Sequence, residues 1–250
     1  MRQKNILRDC ADGFYGTAEH GKGFDMTIAV IALCCIGIAF QARFIDREHK
    51  KEYTPALILK GCASACFVIL GFITATKAGD ADFARYVVLG LCLGMGGDIL
   101  LNLRFLFEKK GTLIFLIGIL VFLSGHVMYL IALLPLCANV ALGLALGAVF
   151  TAVILIWIFR QITAKPAFKI FGVFYIGAIV IMTTIAIMNL IAGYSARNLI
   201  FAIGAVLFLL SDIILIINTF GGKDSKKLRT MNLSLYYIGQ LCIAVCLLFA

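Results

Sequence analysis

The chain is poor in charged residues and in proline. Only 14% of its 250 residues are Asp, Glu, Lys or Arg, and it contains three prolines and one tryptophan. Soluble domains carry charge on about a quarter of their residues. A chain of this length also has too little interior to bury a sequence that is 62% hydrophobic. These shortages exclude a soluble enzyme and a disordered chain.

Spacings typical of metal sites are also missing. The nine cysteines include no C-x-x-C pair, and the three histidines are scattered. Pairs one helical turn apart, such as Cys62 with Cys66, are typical of small side chains that pack inside apolar helices. We therefore expect neither disulfides nor a metal site, and we expect the protein to need no cofactor.

Long apolar runs fill most of the chain. A helix that crosses a bilayer needs about 20 mostly apolar residues. The eight runs of this kind are residues 24–42, 55–76, 83–102, 112–133, 138–159, 169–191, 197–218 and 231–249. We predict an all-α, polytopic membrane protein with eight transmembrane helices. A polar tail over residues 1–23 precedes a single transmembrane domain over residues 24–250.

The basic residues are distributed unevenly between the two sides of these runs. The connections after the first, third, fifth and seventh runs contain 14 Lys and Arg, whereas the other side contains seven. Because basic loops stay in the cytoplasm, we expect these connections inside and both termini outside, in a bacterial cytoplasmic membrane. The net charge of +9 then indicates contact with the lipid bilayer surface rather than a nucleic-acid partner.

The two halves of the chain are similar to each other. Asp98 in LGLCLGMGGDILLN and Asp212 in IGAVLFLLSDIILI lie 114 residues apart. Four helices are an even number, so two tandem copies of a four-helix unit cross the membrane in the same direction. We predict two parallel four-helix repeats. The same offset pairs Gly90 with Gly204 and Gly125 with Gly239, and the halves are about 24–136 and 137–250.

A few polar side chains lie inside the apolar runs. Burying ionisable groups there is costly, and they commonly face a cavity or the bundle interior. Asp98 and Asp212 lie five or six residues before the end of their runs, roughly 8–10 Å below the same surface. Two carboxyl groups that share a cavity repel each other, so one stays protonated while the other ionises, as in an acid/base pair. The other candidate site residues are Lys60, His126, Tyr129, Tyr236, Tyr237 and Gln240.

The same residues allow other interpretations. Each aspartate can pair with Lys60 or cap a kinked helix, and His126 can be a satisfied donor between helices. Paired aspartates also suit a small transporter that couples transport to protons or cations, and a lipid-binding protein without catalysis is a third class. An intramembrane aspartyl protease is set aside, because its G-x-G-D motif is replaced by MGGD at Asp98.

Four strings, taken in order, resemble the YhhN-like lysoplasmalogenase family. They are GGDILL around Asp98, SGHVMYL around His126, FLLSDIIL around Asp212 and LYYIGQL around Gln240. Tyr175 with Met182 also fits, whereas Lys60 is followed by Gly61 where the family has Pro. The resemblance implies an eight-span membrane hydrolase without a metal. Its lysophospholipid substrate is a lysoplasmalogen, whose vinyl ether bond is cleaved to a fatty aldehyde and a glycerophosphoethanolamine or glycerophosphocholine.

The implied reaction assigns a role to each candidate residue. Protonating a vinyl ether produces an oxocarbenium ion, and glycosidases handle a related ion with two carboxyl groups. Asp98 and Asp212 are therefore the expected acid/base pair, with the choice of acid left open. Lys60 is expected to bind phosphate or to tune one aspartate. The residues expected to orient water and the glycerol hydroxyl are His126, Tyr129, Tyr236, Tyr237 and Gln240.

Overall fold

A computed structural model provides the architecture. It describes residues 2–163, 166–222 and 225–250, and the side chains of residues 2–25, Glu108 and Ala167 lie outside this description. The long helices are α1 (Arg2–His49), α2 (Tyr53–Ala75), α3 (Ala81–Leu103), α4 (Gly111–Leu133), α5 (Val140–Gln161), α6 (Pro166–Ala192), α7 (Ala196–Phe220) and α8 (Lys226–Val245). Short 3-10 helices lie at Glu108–Lys110, Leu134–Leu136 and Cys246–Phe249.

Each of the eight long helices contains a segment that is apolar and long enough to cross a membrane, within the part of the chain that the structure describes. This confirms the predicted all-α, multi-pass architecture. In α1 the apolar segment is Met26–His49. The polar tail predicted for residues 1–23 falls on residues whose side chains lie outside the description, so it stays a prediction.

Two helices extend beyond their predicted apolar runs. α1 continues to His49, and an ion pair of 2.5 Å between Arg47 and Glu52 ties its last turn to the residues that follow. α8 begins five residues before the predicted run. The Ser225 hydroxyl starts this helix by accepting a hydrogen bond from the Leu228 N–H (3.5 Å), as an N-cap residue does. Hydrophobicity marks the apolar part of a helix, and capping and ion pairs decide where the helix ends.

The helices pack in the same order in both halves. Consecutive helices form the pairs α1 with α2, α3 with α4, α5 with α6 and α7 with α8, and the second helix of each half also packs on the third. α4 packs against α6, and α2 and α3 pack against α8, so these contacts join the halves. The first helix of each half is outermost: 17% of its apolar segment is buried, against 61% in α8.

The glycines that the sequence repeat aligns make matching contacts. A methyl group added to Gly125 in α4 would lie 3.1 Å from the carbonyl oxygen of Gly90 in α3. A methyl group added to Gly239 in α8 would lie 2.9 Å from the carbonyl oxygen of Gly204 in α7. Small residues at such crossings let two helix backbones approach closely. The matching contacts at an offset of 114 residues support two parallel repeats.

Aromatic rings pack together in the core of the bundle, next to the buried polar groups. The ring of Phe208 lies 5.2 Å from that of Tyr236, and the ring of Phe122 lies 5.7 Å from the same tyrosine. The eight cysteines of the described part are free thiols, and Cys66 and Cys246 are fully buried in helices. Cys66 and Cys246 act as packing side chains, as their spacing predicts, whereas Cys35 is exposed.

Candidate active site

Asp98 is the centre of a buried polar cluster on three helices. Its Oδ2 accepts hydrogen bonds from the Ser64 hydroxyl (2.5 Å) and the Tyr236 hydroxyl (2.7 Å), and its Oδ1 lies 3.3 Å from the Lys60 ammonium. Lys60 and Ser64 come from α2, and Tyr236 comes from α8. We call these four residues the Asp98 cluster. A buried carboxylate is stable when a cation and hydrogen-bond donors satisfy it, so this arrangement suits an ionised Asp98.

Lys60 reaches this position along the faces of two rings. Its ammonium lies 4.4 Å from the ring centre of Tyr236 and 5.2 Å from that of Phe44, and its side chain is 2% exposed. Ring faces attract cations, so both rings and Asp98 stabilise the charge. The sequence left open whether Lys60 pairs with an aspartate or binds phosphate, and in the structure it pairs with Asp98.

Asp212 has a different environment. Its Oδ2 accepts one hydrogen bond, from the Tyr175 hydroxyl on α6 (2.7 Å), and no Lys, Arg or His of the described residues lies within ion-pair distance of it. Asp212 is at least as deeply buried as Asp98. An uncompensated charge at such a site is costly, so a neutral, protonated carboxyl group is the form that this site suits.

Both aspartates line one cavity. About 130 Å³ of this cavity is accessible to the centres of water-sized molecules. Lys60, Ser211 and Tyr236 are on its wall beside the two aspartates. Most of the remaining wall is apolar, and it includes Leu101, Phe115, Ile119, Phe122, Phe168, Phe171, Leu215, Ile216 and Phe220.

A chain of hydrogen bonds supports Tyr236 from behind the cavity. The Tyr129 hydroxyl donates to Gln240 Oε1 (2.9 Å), and Gln240 Nε2 donates to the Tyr236 hydroxyl (3.4 Å). Gly94 makes room for this chain, because a methyl group there would lie 2.8 Å from Gln240 Nε2. Tyr129 and Gln240, both predicted as site residues, thus contact the Asp98 cluster through Tyr236 and do not line the cavity.

His126 is buried among rings without a polar partner. Its ring lies 4.6 Å from that of Phe208 and 5.8 Å from that of Tyr175, and neither ring nitrogen has a hydrogen-bond partner among the described residues. The interpretation of His126 as a satisfied donor between helices is therefore wrong for this structure. Tyr237 donates to the backbone carbonyl of Ala63 on α2 and also lies outside the cavity wall.

Four residues of the site are not assigned a role by the sequence alone. Tyr175 entered it only through the family resemblance, yet its hydroxyl is the partner of Asp212. Ser64 was missed because a serine in an apolar helix is common, and its position one turn after Lys60 was the available signal. Arg104 and Arg229 were counted as loop charges, although both line the cavity. They lie at the end of the cavity where α3 finishes and α8 begins, and we call this end its mouth.

No group of three His, Cys, Asp or Glu side chains in the described part of the chain is arranged to hold a metal ion. The two carboxyl groups have different partners, namely one ammonium and two hydroxyl groups at Asp98 and one hydroxyl group at Asp212. Such a set can donate a proton from one carboxyl group and hold a negative charge on the other.

Comparison with known proteins places this site within a family. Residues 56–247 match the model of the YhhN family, a range that includes both aspartates and the residues bonded to them. Comparisons with curated proteins and with solved structures give no match. Because the matched range covers most of the 250 residues, the chain belongs to the YhhN family.

Proposed function

We propose that the protein is an integral membrane hydrolase that cleaves the vinyl ether bond of lysoplasmalogens. The products are a fatty aldehyde and a glycerophosphoethanolamine or glycerophosphocholine. The observation that carries the proposal is the pair of carboxyl groups in one cavity, Asp98 with a cation and Asp212 without one. Membership of the YhhN family supports the same reaction class.

The lining of the cavity suits the hydrocarbon chain of a lipid. Its mouth is at the end of the bundle where α3 and α7 finish and α8 begins, beside the basic connections. The phenylalanine-rich wall provides an apolar surface for the hydrocarbon chain. The two aspartates lie below the mouth, at the level that a glycerol backbone and its vinyl ether reach when the headgroup stays near the surface.

Hydrolysis begins with the transfer of a proton to carbon. The carboxyl group of Asp212 donates its proton to the outer carbon of the vinyl ether, and the alkene electrons form the new C–H bond. The ether oxygen then shares a lone pair with the inner carbon, which gives an oxocarbenium ion. The Asp98 carboxylate lies in the same cavity and stabilises this positive charge electrostatically.

Asp212 then serves as the base. Water attacks the cationic carbon and loses a proton to the Asp212 carboxylate, which gives a hemiacetal. Asp212 protonates the glycerol oxygen as the C–O bond breaks, and the hemiacetal hydroxyl proton returns to Asp212 as the aldehyde forms. A single carboxyl group that alternates between acid and base is known from retaining glycosidases. Tyr175 holds Asp212 Oδ2, which leaves Oδ1 free to carry the proton.

The proposal is tested with purified protein in detergent, without a membrane gradient. We expect release of a fatty aldehyde from a lysoplasmalogen, and no release from the saturated ether analogue. Absence of aldehyde, together with gradient-driven uptake of a solute in vesicles, would contradict the proposal and favour the transporter. Lipid binding without aldehyde release would favour the non-catalytic lipid-binding protein.

A further inference from the structure

Three cations line the cavity, and one of them makes no ion pair with a described carboxylate. Lys60 pairs with Asp98, and Arg229 makes a two-point ion pair with Glu48 through distances of 2.6 and 3.0 Å. Arg104 is the third. It lies one residue after the end of α3, at the cavity mouth.

Arg104 is held in place by rings rather than by a carboxylate. Its guanidinium lies 4.4 Å from the ring centre of Phe115 and 4.6 Å from that of Phe105. Burial, and then repulsion from Arg229, lowers the pKa of Arg104 to about 10, so the group stays positively charged at neutral pH. The Glu48 carboxylate, which raises the pKa of Arg104 by a smaller amount, is already paired with Arg229. Arg104 is therefore the guanidinium that remains to attract an anion at this opening.

We propose that Arg104 binds a phosphate group at the mouth of the cavity. This inference rests on the proposed function for its lipid, whose headgroup phosphate is the natural occupant, and free phosphate shares the same chemistry. The planar guanidinium matches two phosphate oxygens at once. Lys60 and Arg229 do not take this role, because Asp98 and Glu48 already pair with them.

The depth of the aspartates fits a phosphate at this position. Arg104 follows Asp98 by six residues, which corresponds to about 9 Å along a helix. Seven bonds separate the phosphorus of a lysoplasmalogen from the outer carbon of its vinyl ether. An extended chain advances roughly 1.2 Å per bond, so the separation is also about 8–9 Å. A phosphate bound at Arg104 therefore brings the vinyl ether to the level of the aspartates.

The test measures binding and needs no turnover. The probes are a 1-O-alkyl lysophospholipid, whose saturated ether is not cleaved by the proposed reaction, and the corresponding 1-O-alkylglycerol, which lacks phosphate. We expect the wild-type protein to bind the phospholipid at least about 10-fold more tightly, as charged hydrogen bonds allow. Arg104→Gln should remove this preference while keeping the affinity for alkylglycerol, and Arg104→Lys should keep part of it. The control is Arg85→Gln, at the exposed opposite end of α3, which should keep the full preference.

Further outcomes distinguish a lipid headgroup from free inorganic phosphate as the occupant. They also distinguish failure of the phosphate site from failure of the proposed reaction. Displacement of the lysophospholipid by inorganic phosphate supports the phosphate site. If inorganic phosphate binds to wild type but not to Arg104→Gln, and neither lipid binds, free phosphate is the occupant and the headgroup assignment is overturned. Equal affinity of wild type for the two lipids, or an unchanged preference in Arg104→Gln, would overturn the phosphate site itself. Because the readout is affinity, a protein that releases no aldehyde still tests this inference separately from the proposed reaction.

Discussion

Replacing Lys60 with Met removes the cation nearest Asp98 while keeping an unbranched side chain of similar size. Both side chains are almost fully buried, at 2% and 6% exposure, so solvent screens the pair little. At 3.3 Å, two unit charges attract by about 5 kcal/mol at an effective dielectric constant of about 20. Removing one partner of a buried pair typically costs about 3–5 kcal/mol. We expect the free energy of unfolding of Lys60→Met to fall by about this amount.

The double variant separates the ion pair from simple packing. With Asp98→Asn added to Lys60→Met, no uncompensated charge remains, so we expect more than half of the lost stability to return. The assay is reversible unfolding in mixed detergent micelles, analysed as a double-mutant cycle. The control is Lys77→Met, at an exposed position just after α2, with a change below about 0.5 kcal/mol. A double variant as unstable as the sum of the two single variants would refute the argued pairing.

Two further predictions concern the partners of the aspartates. Tyr175→Phe removes the hydrogen bond to Asp212 and should lower kcat of aldehyde release about 10- to 100-fold with little change in KM; an unchanged kcat would mean that this bond has no part in the reaction. Gly94→Ala displaces the amide end of Gln240 and weakens its hydrogen bonds to Tyr129 and Tyr236, so thermal unfolding should show a loss of about 1 kcal/mol relative to Gly61→Ala. Gly61→Ala, with nothing within 4 Å of the added carbon, is the matched control and should be neutral or slightly stabilising.

Hydropathy was sufficient to predict the eight spans and the depth of their polar residues. A run of about 20 apolar residues marks a span wherever it lies in the chain, and counting from its end gives the depth of Asp98 or Asp212. The repeat was also visible, because the glycine crossings require the same small residue at the same offset in both halves. Gly125 and Gly239 show this directly.

The partners of each polar group were not predictable in the same way. They depend on how each helix is rotated about its axis, and helices that are apolar on every side do not reveal which face points inward. Asp98 forms an ion pair with Lys60, whereas Asp212, its repeat equivalent, accepts a hydrogen bond from Tyr175. The repeat predicts equal depth for the two aspartates, and the unequal partners come from sequence differences between α2 and α6.

Four of the eight predicted site residues line the cavity. Asp98, Asp212, Lys60 and Tyr236 line it. The four other predicted residues are buried behind the wall, because α4 and the second half of α8 turn those side chains toward other helices. They are His126, Tyr129, Tyr237 and Gln240.

The central claim is that both aspartates of the cavity take part in the cleavage. The most direct test compares aldehyde release by purified Asp98→Asn and Asp212→Asn with that by wild type and by Asp82→Asn, an exposed aspartate in the first turn of α3. We expect Asp212→Asn to lose at least about 10²-fold in turnover, the usual contribution of a proton-transferring group. Asp98→Asn should lose a comparable factor, and Asp82→Asn should match wild type. Full turnover in both cavity variants would contradict the account.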